Sequence, residues 1–282
     1  MKSVTQRAMQ ITLGCLMVVV LALQVTAARA ADPARLEAFL QVTGFDVALE
    51  SIRLSAGSAP AMLGIQADAF GSEWTRLVEE VFDTELMHGM ATEILGGTLN
   101  DDLLIHAAEF YASELGQRLV VAENASHMVE DDDLKSESGR AIVAGLVQIG
   151  SPRVALLNRL TAASDVENHS IAAIQEIQVR FLTAAAAAGV IELQLEGDDL
   201  REAIRTQEPE LRANIKTNAL ANAAYTYQAF SNDEVIAYTE ALEHPKMQRV
   251  YELMNAVQYE IMANRFEEVA DRLSEMRPSQ DL

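Results

Sequence analysis

Residues 100–125 read NDDLLIHAAEFYASELGQRLVVAENA, and this stretch predicts a helical hairpin. Asn100 is a favourable N-cap residue, and apolar residues recur at helical spacing after it. Ser113 is a second cap residue, at the point where the first apolar stripe ends. We therefore expect two helices joined by a tight turn that is centred near residue 113.

The same pattern recurs later in the chain. A shift of 131 residues places residues 102–125 on residues 233–256 without a gap. The cap residue Asn100 falls on Ser231, which forms a capping box with Glu234. Seven of the 24 shifted positions are identical, namely Asp102/Asp233, Ile105/Ile236, Glu109/Glu240, Gln117/Gln248, Arg118/Arg249, Asn124/Asn255 and Ala125/Ala256. Internal self-similarity is typical of repeated structural units, so we expect a duplicated hairpin.

Most of the remaining sequence also predicts helix. Only 6 prolines and 14 glycines occur, and apolar residues keep helical spacing over 34–54, 72–95 and 167–188. Gly44 interrupts the first of these segments, and Gly189 follows the last as a C-cap. The predicted fold class is all-α, with two related helical-hairpin halves that form a bundle-like or elongated body.

The charged run at residues 130–138, EDDDLKSES, contains few apolar residues and predicts the main boundary of the chain. We read it as a solvated linker. It separates a first helical repeat over 31–130 from a linker and connecting helix over 131–165. A second, diverged repeat follows over 166–276, and residues 277–282 are a tail.

Residues 1–30 match the pattern of a secretory signal peptide. Lys2 and Arg7 are positive, residues 11–23 are almost wholly apolar, and Ala30 ends a small-x-small cleavage site. The apolar run is shorter than the roughly 20 residues that a membrane-spanning helix needs. We therefore expect cleavage after Ala30, export to the periplasm and no membrane span in the mature protein.

The chain is strongly acidic, with a formal net charge of −21. Cleavage removes Lys2, Arg7 and Arg29, which lowers the formal charge to −24. Such a field disfavours nucleic acid and anionic lipid surfaces as partners. Cys15 is the one cysteine and lies in the apolar run. We therefore expect a mature protein without disulfides or thiolate metal sites, stabilised by packing alone.

Residues 110–119, FYASELGQRL, resemble the signature FYxSPxGqkL of the DUF2059 family. The preceding residues 99–103 resemble that family's LTxEEL segment, and residues 36–40 with Gly44 resemble its early LLxxxG helix. The resemblance covers residues 34–130, and the second copy fits it weakly. It implies an exported bacterial helical protein of unknown function, and it brings no catalytic residues to this chain.

The repeated charged residues predict two structural ion pairs. Glu109 lies shortly before the first turn and Arg118 shortly after it, so their side chains could face each other across the hairpin. The same argument applies to Glu240 and Arg249 in the second copy. We expect these pairs to fix the register of the hairpins, since exposed pairs contribute only about 0–1 kcal/mol.

No catalytic or cofactor-binding residues are predicted, and no cofactor is expected. Met87, His88 and Met90 are weak candidates for a soft-metal site, because methionine thioethers suit Cu(I). Met90 also belongs to an apolar stripe, which favours a core position. Glu85 and His88 form a Glu-x-x-His motif, but a di-metal carboxylate bundle needs two such motifs.

These observations favour a non-catalytic binding module whose partner is an envelope protein or a small ligand. The first alternative is an enzyme with metal or carboxylate chemistry, which requires at least two buried Glu, Asp or His side chains with shifted pKa values in one concave site. The second alternative is a structural role as a homodimer, which requires a large exposed apolar patch.

Overall fold

Helices make up nearly all of the residues that the computed structural model describes, which are 31–58, 60, 63, 72–129, 131–164 and 166–273. Their bounds are α1 Pro33–Thr43, α2 Phe45–Ser55, α3 Ser72–Val81, α4 Thr84–Thr98, α5 Asp101–Tyr111, α6 Glu114–His127, α7 Asp132–Gln148, α8 Arg153–Ala163, α9 Val166–Ala187, α10 Gly197–Arg205, α11 Glu208–Thr226, α12 Asn232–Leu242 and α13 Pro245–Leu273. No strand occurs in this part of the chain, which confirms the predicted all-α class.

The predicted signal peptide over 1–30 and the predicted tail over 277–282 lie outside the described residues. By its contacts, Ala31–Leu282 forms one compact unit, which contains both predicted halves. Among the described helices, none combines the length and the apolar composition needed to cross a membrane.

The long helix α13 organises the core, since it contacts α3, α4, α5, α9 and α12. Phe266 on this helix packs edge-on against Phe82 at a ring-centroid distance of 5.6 Å and against Phe181 at 5.4 Å. Phe82 and Phe181 are both fully buried. The three rings belong to the main apolar cluster and join α9, α13 and the α3–α4 connection.

The structure contains both predicted hairpins, and their helix bounds match. In the first hairpin α5 spans Asp101–Tyr111 and α6 begins at Glu114. In the second, α12 spans Asn232–Leu242 and α13 begins at Pro245. The two bounds of α5 and the start of α6 each lie 131 residues before their counterparts, which is the shift found in the sequence, whereas α6 ends at His127 and α13 runs on to Leu273. This agreement supports the duplication, which stays a prediction.

The predicted helix caps are confirmed. Asn100 and Ser113 each accept a hydrogen bond from the backbone N–H three residues further on, at 3.0 and 3.1 Å. Ser231 forms the predicted capping box. Gly44 and Gly189 follow α1 and α9 with positive φ angles of 67° and 74°. Glycine favours this conformation because it has no Cβ to clash with the backbone.

The acidic run at 130–138 is not the linker that its composition predicts, because a helix begins inside it. Asp131 caps α7 by accepting a hydrogen bond from the backbone N–H of Leu134 at 2.8 Å. Acidic residues stabilise helix N-termini, where they bind free N–H groups and oppose the helix dipole. Helix α7 then packs so closely on α11 that Gly139 lies against the backbone of Ala221.

The segment 72–95, which its apolar spacing predicts as one helix, forms two helices in the structure. It forms α3 and α4, with Phe82 and Asp83 between them. Asp83 separates the two helices because it is the N-cap of α4. Its side chain accepts a hydrogen bond from the backbone N–H of Leu86 at 2.8 Å. Helix α4 then continues through Gly96 and Gly97 to Thr98.

Candidate functional site

A cavity of about 460 Å³ lies between the two hairpins and helices α1, α2, α7, α8 and α11. Its apolar wall includes Phe39, Phe45, Leu160 and Met254. Its polar wall includes Glu123, Asn222 and four tyrosines, namely Tyr111, Tyr227, Tyr238 and Tyr251. Small-molecule sites typically have volumes of about 300–1,000 Å³ and this mixed lining. We call this space the Glu123 cavity.

Four tyrosines form a hydrogen-bonded chain that ends on Glu123. The hydroxyl groups of Tyr227 and Tyr238 each donate to Glu123 Oε1 at 2.8 Å. The Tyr238 hydroxyl also lies 2.8 Å from the hydroxyl of Tyr251, which is hydrogen-bonded to the hydroxyl of Tyr111. The first hairpin supplies Tyr111 and Glu123, while the second supplies Tyr238 and Tyr251.

The donor of each hydrogen bond among Glu123 and the four tyrosines can be assigned by counting hydroxyl hydrogens. An ionised carboxylate only accepts, so Tyr227 and Tyr238 both donate to Glu123. Because the Tyr238 hydrogen is then used, Tyr251 donates to Tyr238, and Tyr111 donates to Tyr251. Four hydroxyl hydrogens thus serve the four hydrogen bonds, with none left over.

Burial shifts the pKa of Glu123 and of all four tyrosines. It raises the pKa of the Glu123 carboxyl above its usual range, while the hydrogen bonds from Tyr227 and Tyr238 act in the opposite direction. Burial also raises the pKa of the hydroxyl groups of all four tyrosines above 10. The phenols therefore remain donors at neutral pH, and Glu123 is the member whose charge can change.

A pH profile checks the burial of this carboxyl. Since the folded protein holds the Glu123 proton to a higher pH than the unfolded chain does, ionisation of Glu123 opposes folding. We expect the stability of the wild type relative to Glu123→Gln to be greatest near pH 4 and to fall as the pH rises through the raised pKa. Thermal unfolding of both proteins from about pH 4 to about pH 8 measures this. A difference that grows with pH would contradict the assignment, and the exposed Glu109→Gln is the charge-matched control.

Two oxygen atoms in the cavity wall accept no hydrogen bond from the described residues. Both hydrogen bonds to the Glu123 carboxyl end on Oε1, which leaves Oε2 without a donor. Asn222 Oδ1 is buried and also has no donor in this part of the chain. A molecule that brings an N–H or O–H group to Glu123 would supply a donor to Oε2, whereas Asn222 Oδ1 is enclosed by the protein.

The Phe-Tyr pair of the sequence signature joins the two hairpins. The Phe110 ring stacks on Tyr238 with a centroid distance of 5.7 Å and an interplanar angle of 6°, and Tyr111 is bonded to Tyr251. The signature glycine, Gly116, lets α6 approach α5, because a Cβ there would lie 2.3 Å from the carbonyl oxygen of Phe110. The signature residues therefore position the wall of the Glu123 cavity.

Arg118 has a different partner from the predicted Glu109. Its guanidinium binds Glu234 at 2.5 Å and lies 5.1 Å from the centre of the Phe230 ring. A carboxylate and a ring face together attract a guanidinium more strongly than one exposed carboxylate does. Arg118 thus links the first hairpin to the second and does not clasp its own turn.

Arg249 also differs from the prediction, which paired it with Glu240. It binds Glu252 at 2.7 Å, three residues further along α13. Residues three apart on a helix are neighbours, so this local pair orders less of the chain than a pair across the turn would. In this structure the partners of Arg118 and Arg249 are therefore Glu234 and Glu252, and not the predicted Glu109 and Glu240.

The weak metal candidates occupy separate environments. Met87 is fully buried, and Met90 is partly buried against the core. The His88 imidazole binds carboxylates, with Nδ1 2.5 Å from Asp46 and Nε2 3.0 Å from Glu37. Among the described residues, no group of three or more His, Cys, Asp or Glu is placed to hold a metal ion. A soft-metal site therefore stays a prediction whose methionines lie in or against the core.

His88 ties α4 to α1 and α2, and this tie should depend on pH. Asp46, and to a smaller extent Glu37, raise the pKa of the imidazole above 6.5, while burial acts in the opposite direction. A raised histidine pKa stabilises the fold below the unfolded pKa, and this stabilisation is lost as the pH rises through the folded pKa. We expect His88→Gln to lower Tm at about pH 5.5 and to have a smaller effect at about pH 8.5. Equal losses of Tm at the two pH values would contradict this role.

Sequence reasoning missed Glu123 and its tyrosines. A signal for Glu123 was present, since Gly116, Leu119 and Val120 are buried on α6 and Glu123 continues that face at helical spacing. A carboxyl group on a core-facing stripe needs a partner, because an unpaired buried charge is costly. The identity of that partner depends on which helices meet, and the tyrosines lie on α5, α12, α13 and the end of α11.

Comparison with known proteins gives one match. The model of DUF2059, an uncharacterized protein conserved in bacteria, matches residues 85–144. Searches of curated proteins and of solved structures found nothing that matches the chain. The matched segment begins and ends later than the predicted 34–130, and it contains Tyr111 and Glu123. The chain therefore carries a DUF2059 match over residues 85–144, and this is the family that its Phe-Tyr signature resembles.

Proposed function

We propose that this chain is an exported, non-catalytic binding protein that holds a small molecule in the Glu123 cavity. The observation that carries the proposal is the cavity of about 460 Å³ with a tyrosine-bound carboxyl group in its wall. The hydrogen bonds from Tyr227 and Tyr238 both end on Oε1, so Glu123 Oε2 is left without a donor among the described residues. An envelope protein as partner and a homodimer stay predictions.

Export to the periplasm is part of this proposal, and the pattern of residues 1–30 supports it. The test is N-terminal sequencing of protein that is expressed from the full chain and recovered from the periplasmic fraction. We expect Ala31 as the first residue. Recovery of the chain in the cytoplasm with Met1 still present would overturn the proposed export.

Acid–base catalysis is the second candidate function, because a carboxyl group with a raised pKa suits a general acid. That class requires at least two acid–base groups with suitable pKa values in one site. Around Glu123 the hydrogen-bonded groups are tyrosines, whose raised pKa values keep them protonated at neutral pH. We therefore favour binding over catalysis.

A thermal-shift screen tests the proposed binding. The panel covers metabolite classes of different charge, and each compound is tested on the wild type and on two leucine variants. Ala219→Leu fills part of the cavity, whereas Ala213→Leu changes an exposed position on the same helix. We expect at least one compound class to raise Tm of the wild type and of Ala213→Leu but not of Ala219→Leu. Equal shifts in all three proteins, or none in any, would reject the proposal.

A further inference from the structure

The acceptors of the Glu123 cavity call for a ligand that donates hydrogen bonds. Glu123 Oε2 and Asn222 Oδ1 both line or adjoin the cavity and have no donor among the described residues. Glu123 is partly buried, and an acceptor that is shielded from water without a donor is costly, so a ligand with N–H groups gains by supplying one. A ligand that presents only acceptors would add to the deficit.

The charge of the cavity wall calls for a cation. The tyrosine chain is fully satisfied when Glu123 is ionised, as the count of hydroxyl hydrogens shows. The groups that bind the carboxyl are neutral phenols, and no cation of the described residues is among them. Lys135 also lines the cavity, and its ammonium donates to the carbonyl oxygen of Ser126 at 3.3 Å. Glu123 is partly buried; a carboxylate shielded from water without a cation is costly, and a cationic ligand would compensate it.

The rest of the wall suits an apolar ligand body. Phe39, Phe45, Leu160 and Met254 line the same space. Aromatic rings also attract an ammonium group through their π faces. The net charge of −21 adds a field that concentrates cations around the protein and repels anions.

We propose that the ligand is an organic cation with a primary ammonium group on an apolar body. The ammonium donates to Glu123 Oε2, and the apolar body lies against the aromatic and aliphatic wall. This inference rests on the proposed binding function and names the chemical class of its ligand. A primary ammonium fits because it carries three donors, no acceptor and one positive charge.

Isothermal titration with matched probes tests the ligand class on wild-type protein expressed from the full chain. The probes are hexylammonium and 2-phenylethylammonium, each with the alcohol and the carboxylate of the same size. We expect each ammonium to bind at least about tenfold more tightly than its alcohol, and the carboxylates to show no measurable binding. We also expect 2-phenylethyltrimethylammonium, which has no N–H group, to bind at least about tenfold more weakly than the primary ammonium.

Two variants locate the binding. Glu123→Gln keeps an acceptor for Tyr227 and Tyr238 but removes the charge, so it should weaken the ammonium probes by about tenfold or more and leave the alcohols within about twofold. The exposed Glu109→Gln removes the same charge outside the cavity and should leave both unchanged. The comparison between probes on the wild type decides the ligand class even if Glu123→Gln fails to fold.

The outcomes separate this inference from the proposed function. If an alcohol or a carboxylate binds as tightly as its ammonium, and Ala219→Leu abolishes that binding, the ligand class is wrong and the binding function stands. If ammonium binding is unchanged in a folded Glu123→Gln, the inference is also wrong. If neither these probes nor any compound of the thermal-shift panel binds, the ligand class and the proposed binding function are both wrong.

Discussion

Phe181→Ala should lower the free energy of unfolding by about 3–5 kcal/mol, the usual cost of removing a buried phenylalanine ring. Phe181 is fully buried and packs edge-on against Phe266, which in turn packs against Phe82. The substitution therefore leaves a hole where α9 meets the central helix α13, in the most extensive helix–helix contact of the described fold. Tm should fall by about 10 °C or more.

Urea unfolding of the wild type and of Phe181→Ala measures this loss, and Ile149→Ala is the control. Ile149 is 76% exposed, so its truncation should change the free energy of unfolding by less than about 0.5 kcal/mol. Similar losses in the two variants would show that Phe181 is not part of a packed core.

Gly139→Ala should have the second-largest effect, because it inserts a methyl group between two helices. A Cβ at Gly139 would lie 2.2 Å from the carbonyl oxygen and 2.6 Å from the carbonyl carbon of Ala221. Both neighbours are backbone atoms of α11, so α7 and α11 must separate. Such overpacking costs about 1–3 kcal/mol. The next residue along α11, Asn222, lines the Glu123 cavity, so we also expect weaker ligand binding.

Gly145→Ala is the matched control on the same helix. No atom lies within 4 Å of a Cβ at Gly145. Alanine favours helix over glycine by up to about 1 kcal/mol, so this variant should be as stable as the wild type or more stable. If thermal unfolding shows the two variants to be equally stable, the close approach of α7 and α11 is wrong.

The sequence predicts the hairpins well because their determinants are local. Asn100, Ser113 and Ser231 are cap residues that act within three residues of their own position, and the structure keeps all three. The two corrections to helix bounds have the same local cause. Asp83 and Asp131 each cap a helix, although their neighbours suggest continuity in one case and a linker in the other.

The partners across the fold could not be predicted in the same way. Arg118 binds Glu234, which lies in the other hairpin, and no spacing rule within one hairpin reveals such a pair. The resemblance between the copies also hides the site, since Glu123 falls on Met254 and Tyr238 falls on Ala107 under the shift of 131 residues. The helix bounds correspond in the two hairpins, whereas the polar groups of the cavity occur once, where the two hairpins meet.

The most direct test of the account is a crystal structure of the protein with the tightest-binding compound of the screen. We expect the compound inside the Glu123 cavity, with a donor atom within about 3 Å of Glu123 Oε2. A compound bound elsewhere on the protein, with the Glu123 cavity empty of it, would contradict the account.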